Sequence, residues 1–95
     1  YRGWFSRGMA NRQKGRIDEA LRDLLETVKR EPRLAAAWDG IGNCRAGKGD
    51  FDGAILEYSA VLKLDAKFAL AWGRRGLSKA RKGDHDGVLF VRGFE

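Results

Sequence analysis

Trp4, Trp38 and Trp72 stand 34 residues apart, and the chain around them keeps the same step. Gly8, Gly42 and Gly76 repeat it, as do Gly15, Gly49 and Gly83, and Asp18, Asp52 and Asp86. A fixed period of this length marks helical hairpins stacked side by side, each too small to bury its apolar face alone. The expected fold is therefore all-α: an α-solenoid of stacked antiparallel helix hairpins over residues 1–95, in units 1–34, 35–68 and 69–95. Arrays of this kind usually bind partners rather than transform them.

The middle unit shows the pattern most clearly. Residues 35–48 read as a first helix, with Trp38, Ile41 and Cys44 three residues apart. Gly47-Lys48-Gly49-Asp50 then breaks it: Gly49 suits the left-handed conformation that ends a helix, and Asp50 can cap the next one. Residues 51–64 form the second helix, with positions 51, 54, 55, 58, 61 and 62 on one apolar face. The first unit repeats this through Ile17, Ala20, Leu21, Leu24, Leu25 and Val28, and Glu31-Pro32 closes it because the residue before proline disfavours the helical region. Gly8, Gly42 and Gly76 on first helices, with Ala20 and Ala54 on second helices, mark close helix–helix approach. Glycine inside a helix costs ~1 kcal/mol against alanine and needs such a contact in return. The tryptophans are expected to fill the wider end of each hairpin.

This pattern resembles the tetratricopeptide repeat family, whose unit carries a Trp near its start, then Leu-Gly, a Tyr, an Ala, an aromatic, another Ala and a Pro. The second unit supplies Trp38, Ile41-Gly42, Ala54, Tyr58 and the Gly49-Asp50-Phe51-Asp52 turn. The first supplies Trp4, Gly8, Ala20, Leu24 and Pro32, and the third Trp72, Gly76 and Gly83-Asp84. There are departures. The family's first-helix Tyr is replaced by Asn11, Arg45 and Lys79, and its Leu before the glycine by Arg7 and Arg75. In the third unit Val88 replaces the close-packed alanine, Arg92 stands where an aromatic belongs, and Gly87 and Gly93 weaken the last helix.

The resemblance implies a right-handed solenoid whose first helices line a concave groove for an extended peptide or a partner helix. The groove positions here are Arg2, Phe5, Met9 and Arg12, then Asp39 and Asn43, then Leu70, Arg74, Leu77 and Arg81. The arginines could fork onto carboxylates, Phe5, Met9 and Leu77 could give apolar contact, and Asn43 could bond a peptide backbone. Some family members clamp a chaperone's C-terminal carboxylate. The places that would do so are Phe5, Met9, Gly40, Leu70 and Arg74, of which only Arg74 has a fitting side chain, so this clamp is not expected.

Charge supports an acidic partner. The net charge is +6, carried by the first and third units around a near-neutral middle, and such a balance steers anions toward the protein. RNA binding, as in related helical-repeat families, is a third and weaker alternative, because only Phe5 provides an aromatic among the basic groove positions. No apolar run approaches a membrane span. Cys44, the one cysteine, cannot pair internally, which fits a reducing compartment such as the cytoplasm. Cys44 and His85 lack a third orienting group, so neither a nucleophilic site nor a zinc site is expected, and no cofactor is implied. His85 is expected near a helix start, and Asp18, Asp52 and Asp86 in first turns, where acids complement the helix dipole.

The leading expectation is a non-enzymatic scaffold that recognises an acidic peptide or partner helix. The alternative is a self-assembling repeat unit. Val88, Leu89, Phe90 and Val91 with Phe94 are apolar nearly all round, where a terminal solenoid helix needs a polar outer face, so a homo-oligomer through this edge is expected.

Overall fold

The computed structural model describes the backbone of residues 2–67 and 69–93 and the side chains of residues 2–67 and 71–83. Among the described residues five helices follow in order: α1 (Arg2–Gln13), α2 (Ile17–Arg30), α3 (Ala35–Gly47), α4 (Phe51–Leu64) and α5 (Ala69–Gly93). Each packs against the next in sequence, and α1 also touches α3. This is the stacked all-α arrangement expected of a helical solenoid.

The repeat is visible in its joints. Gly15 and Gly49 take φ of 80° and 83°, the left-handed conformation that lets a helix stop. At each, the following amide reaches back five residues: Arg16 N–H to the Asn11 carbonyl at 2.8 Å, Asp50 N–H to that of Arg45 at 2.9 Å. Asp50 then accepts from Gly53 N–H at 3.0 Å and caps α4, as its residue type predicts. The ends of α2 and α4 also match. Glu31 N–H bonds the Thr27 carbonyl and Asp65 N–H that of Val61, both at 2.8 Å.

Close approach explains two of the in-phase glycines. A Cβ on Gly8 would stand 2.9 Å from Leu24 Cγ, and one on Gly42 only 2.5 Å from Tyr58 Cε1. Leu24 and Tyr58 are one period apart, and each lies over the glycine of its own hairpin. Ala20 and Ala54 are fully buried, as expected of the opposing small residues. The first core gathers Ala20, Leu24, Val28, Ala37, Ile41 and Cys44; a second gathers Val61, Leu62 and Ala71.

Two expectations are corrected. The tryptophans are not confined to filling their hairpins: Trp38, half-buried at the boundary between units, packs against Val61 and Leu62 at the end of α4, as expected, but also against the core of the preceding unit. Its indole N–H donates to the Pro32 carbonyl at 2.7 Å, and Trp72 repeats this with Ala66 at 3.0 Å, so the beat of tryptophans ties down the inter-unit loops. The second correction concerns the third unit. The expected turn at Gly83-Asp84 does not form, and α5 runs as one helix from Ala69 to Gly93. The residues that fasten a second helix back onto its partner, small at 20 and 54 and apolar at 24 and 58, are Val88 and Arg92 here. Gly76 accordingly has nothing within 4 Å of an added Cβ. His85 and Asp86 therefore lie inside a helix rather than at a helix start.

Candidate functional site

The pairing of α3 with α5 opens a cleft of about 320 Å³ floored by α4. Asn43, Ala46 and Gly47 of α3 form one wall, Arg74, Leu77, Ser78 and Arg81 of α5 the other, and Tyr58 of α4 the floor. Asn43, Arg74, Leu77 and Arg81 were expected in the groove from sequence, and the fold brings these four together. On α5, positions 74, 77, 78 and 81 share one face because they are spaced by three, four and seven residues.

The floor is polar and fixed. The Tyr58 hydroxyl donates to Asn43 Oδ1 at 2.5 Å, and the ring is almost fully buried. Its pKa is pushed up to about 12, mainly by burial and then by the Asp39 carboxylate, against the opposing pull of Arg74 and Arg12. The phenol is therefore a neutral donor at any ordinary pH. Cys44 is wholly buried beside it, and burial pushes its thiol up, which makes it a small core residue rather than a nucleophile.

Other expected groove residues are occupied elsewhere. Phe5 and Met9 are half-buried against the first core, with Met9 seated over Gly40, so they seal the boundary between units one and two. Asp39 is 8% exposed and accepts a hydrogen bond from the Arg74 guanidinium, which binds α3 to α5. Arg12 is half-buried, and its Nε is buried without a hydrogen-bond partner. Arg2 is exposed at the start of α1, and Leu77 and Arg81 are exposed at the cleft. The side chains of Leu70 and of the expected edge, Val88, Leu89, Phe90, Val91 and Phe94, lie outside the described residues.

Two ionic features were not read from the sequence. Arg7 forks onto Asp23 through Nε and Nη2 at 2.9 and 2.8 Å, with Asn11 adding a third contact at 3.3 Å. The Arg7 hydrogen bond holds the Asp23 carboxyl below its ordinary range. These residues line a second cleft of about 400 Å³ with Arg16, Glu19 and Arg22, and the Arg7–Asp23 ion pair lies within it. The second feature is a ladder. Lys48 pairs with Asp18, bridging α2 to the end of α3, and Lys82 with Asp52 at 2.8 Å, bridging α4 to the body of α5. Lys14, Lys48 and Lys82 are themselves 34 residues apart, and that beat was the available signal.

The family model for the tetratricopeptide repeat matches residues 5–67 and, in a second placement, 42–87. The chain belongs to the tetratricopeptide repeat family. A comparison with curated proteins finds no match. Repeats of this family generally mediate protein–protein interaction, and its members are typically scaffolds rather than enzymes. Among the described residues no helix is long and apolar enough to cross a membrane.

Proposed function

We propose that the α3–α5 cleft is a peptide-binding site for an extended acidic segment of a partner protein. The cleft itself carries this reading: exposed Arg81 and exposed Leu77 face Asn43 and the open Gly47 backbone across about 320 Å³. That volume is at the low end for ligand sites. It accommodates a few side chains of an extended strand, not the flank of a whole helix, so of the two expected ligand shapes the extended one fits. Arg81 supplies a carboxylate contact, Leu77 an apolar one, and Asn43 a hydrogen-bonding group beside a backbone that lacks side-chain bulk.

The test is an array of eight-residue peptides carrying one to three acidic residues, with binders measured by fluorescence anisotropy. Binders should lose at least about tenfold in affinity on Arg81→Glu, the worth of one charge-assisted contact, and should weaken as salt is raised. Binding that survives Arg81→Glu unchanged would place the site elsewhere.

Self-association is a second reading, favoured by the uncovered flank of α5. Trp72 is 51% exposed and Gly76 has no neighbour, where Trp38 and Gly42 are both covered. Sedimentation giving a monomer at high protein concentration would remove it.

A further inference from the structure

We infer that Asp39 sets the charge pattern the cleft accepts: a carboxylate at Arg81, and an uncharged hydrogen-bonding group rather than a second carboxylate at Arg74. This rests on the peptide-cleft reading and adds selectivity to it.

Arg74 and Arg81 both line the cleft, but they are not equivalent. Arg81 is exposed and makes no ion pair among the described residues. Arg74 is already held by Asp39, whose carboxylate lies behind it and does not itself line the cleft. Asp39 is 8% exposed, and its second oxygen is buried with no hydrogen-bond partner. If Arg74 turned away to a ligand, it would strand a buried carboxylate, which is strongly unfavourable. A ligand can therefore only share Arg74, and a second carboxylate arriving there would meet the charge of Asp39 in a poorly solvated place. A peptide N–H, C=O or hydroxyl meets no such opposition.

The same place between units one and two shows that the fold does not require this ion pair. One period back, Asp39 corresponds to Phe5 and Arg74 to Gly40. There the gap is closed by apolar atoms, with Leu24 Cδ1 2.9 Å and Met9 Sδ 3.3 Å from where a Cβ on Gly40 would lie. An apolar seal is thus available to this architecture, and the second boundary carries opposed charges at the cleft instead. The other charged group near by, Arg12 of α1, acts on Tyr58 in the same direction as Arg74 and leaves Asp39 the lone carboxylate of the set.

The geometry of α5 sets the probe. Residues seven apart on a helix are separated by about 10 Å, the span of roughly three residues of extended peptide. Two eight-residue peptides that differ only in a second aspartate three residues from the first test the idea by anisotropy. The wild-type protein should gain nothing from the second aspartate, binding the two-aspartate peptide no more tightly than the one-aspartate peptide, and Asp39→Asn should bind the two-aspartate peptide about tenfold more tightly than the other, as one charge-assisted hydrogen bond provides. Asp39→Asn/Arg74→Gln, which leaves no stranded charge, should bind the one-aspartate peptide as the wild type does and show no preference. A wild-type protein that already prefers the two-aspartate peptide tenfold would overturn the inference. So would a folded Asp39→Asn variant with no preference, or a double variant that loses the one-aspartate peptide. If neither peptide binds the wild type, or Arg81→Glu changes nothing, the cleft reading itself fails, and that result is distinct from a failure at Asp39.

Discussion

The two boundaries between repeat units occupy equivalent places and are built from different chemistry. Between units one and two, Met9 and Leu24 close over Gly40, Phe5 packs on the first core, and Trp38 joins the first core to the second. Between units two and three, Asp39 pairs with Arg74, Tyr58 donates to Asn43, and Trp72 stands half out of the structure. The first boundary is closed by apolar atoms over Gly40; the second keeps polar groups facing open space. An apolar seal contributes stability without direction, whereas directed polar groups can be shared with a ligand. The repeat supplies one scaffold twice, and the residues that break its phase make the two boundaries chemically different.

The sharpest way to test this contrast is at the tryptophans. Trp38→Ala removes an aromatic packed on both cores and should cost ~3–5 kcal/mol, a large share of the stability of so small a protein. Trp72→Ala removes a ring that is 51% exposed and belongs to neither core, stacked under Arg75 at 4.6 Å, and should cost less than half as much. Urea denaturation followed by circular dichroism reads both. Equal losses would mean that the second boundary is as apolar as the first.

Next come the glycines. Gly42→Ala drives a methyl against the Tyr58 ring, and overpacking of this kind costs about 1–3 kcal/mol, more than the helix propensity gained. Gly76→Ala meets nothing within 4 Å and should gain up to about 1 kcal/mol from propensity alone. A destabilised Gly76→Ala protein would show that something covers this flank in solution, and would lend weight to self-association.

How much of this was legible in the sequence follows from what repeats. The bounds of the first four helices, the Gly15 and Gly49 turns and the buried Ala20 and Ala54 recur in phase, so copies of the signal could be read together; the Asp50 cap stands where the first unit has Arg16 and was legible from its residue type alone. The unbroken course of α5 was not legible, because Gly83-Asp84 keeps the turn's residue types; the departures from the pattern lie further on in the sequence, at Val88 and Arg92. The cleft was half legible. A helical face placed Asn43, Arg74, Leu77 and Arg81 side by side, but periodicity cannot say that Asp39 and Arg74 neutralise each other across 35 residues, or that Phe5 and Met9 are consumed by packing. Such pairings depend on how helices from different units meet, and each occurs once.

The finest test compares Asp23 with Glu57, one period apart and pulled in opposite directions. Asp23 is buried, but the Arg7 fork outweighs burial and lowers its pKa from the ordinary 3.8. Glu57 has Arg45 Nε at 3.3 Å, and there burial outweighs the cation and raises its pKa from the ordinary 4.5. For Asp23 the unfolded chain binds the proton more readily, so its stabilising effect is present above its ordinary pKa and is lost as pH falls through the depressed value. For Glu57 the folded chain holds the proton more tightly, so stability is lost as pH rises from its ordinary pKa through the raised one. Acidification from neutral should therefore first strengthen the second hairpin slightly and then weaken the first. Carboxyl carbon shifts followed by NMR across this range should show Glu57 titrating above Asp23, by more than their ordinary difference. Arg7→Met should move Asp23 upward and leave Glu57 in place. If Asp23 keeps its low pKa without Arg7, then Asn11 and Arg22 hold the carboxylate, and the fork is only one of several ways the first hairpin accommodates a buried charge.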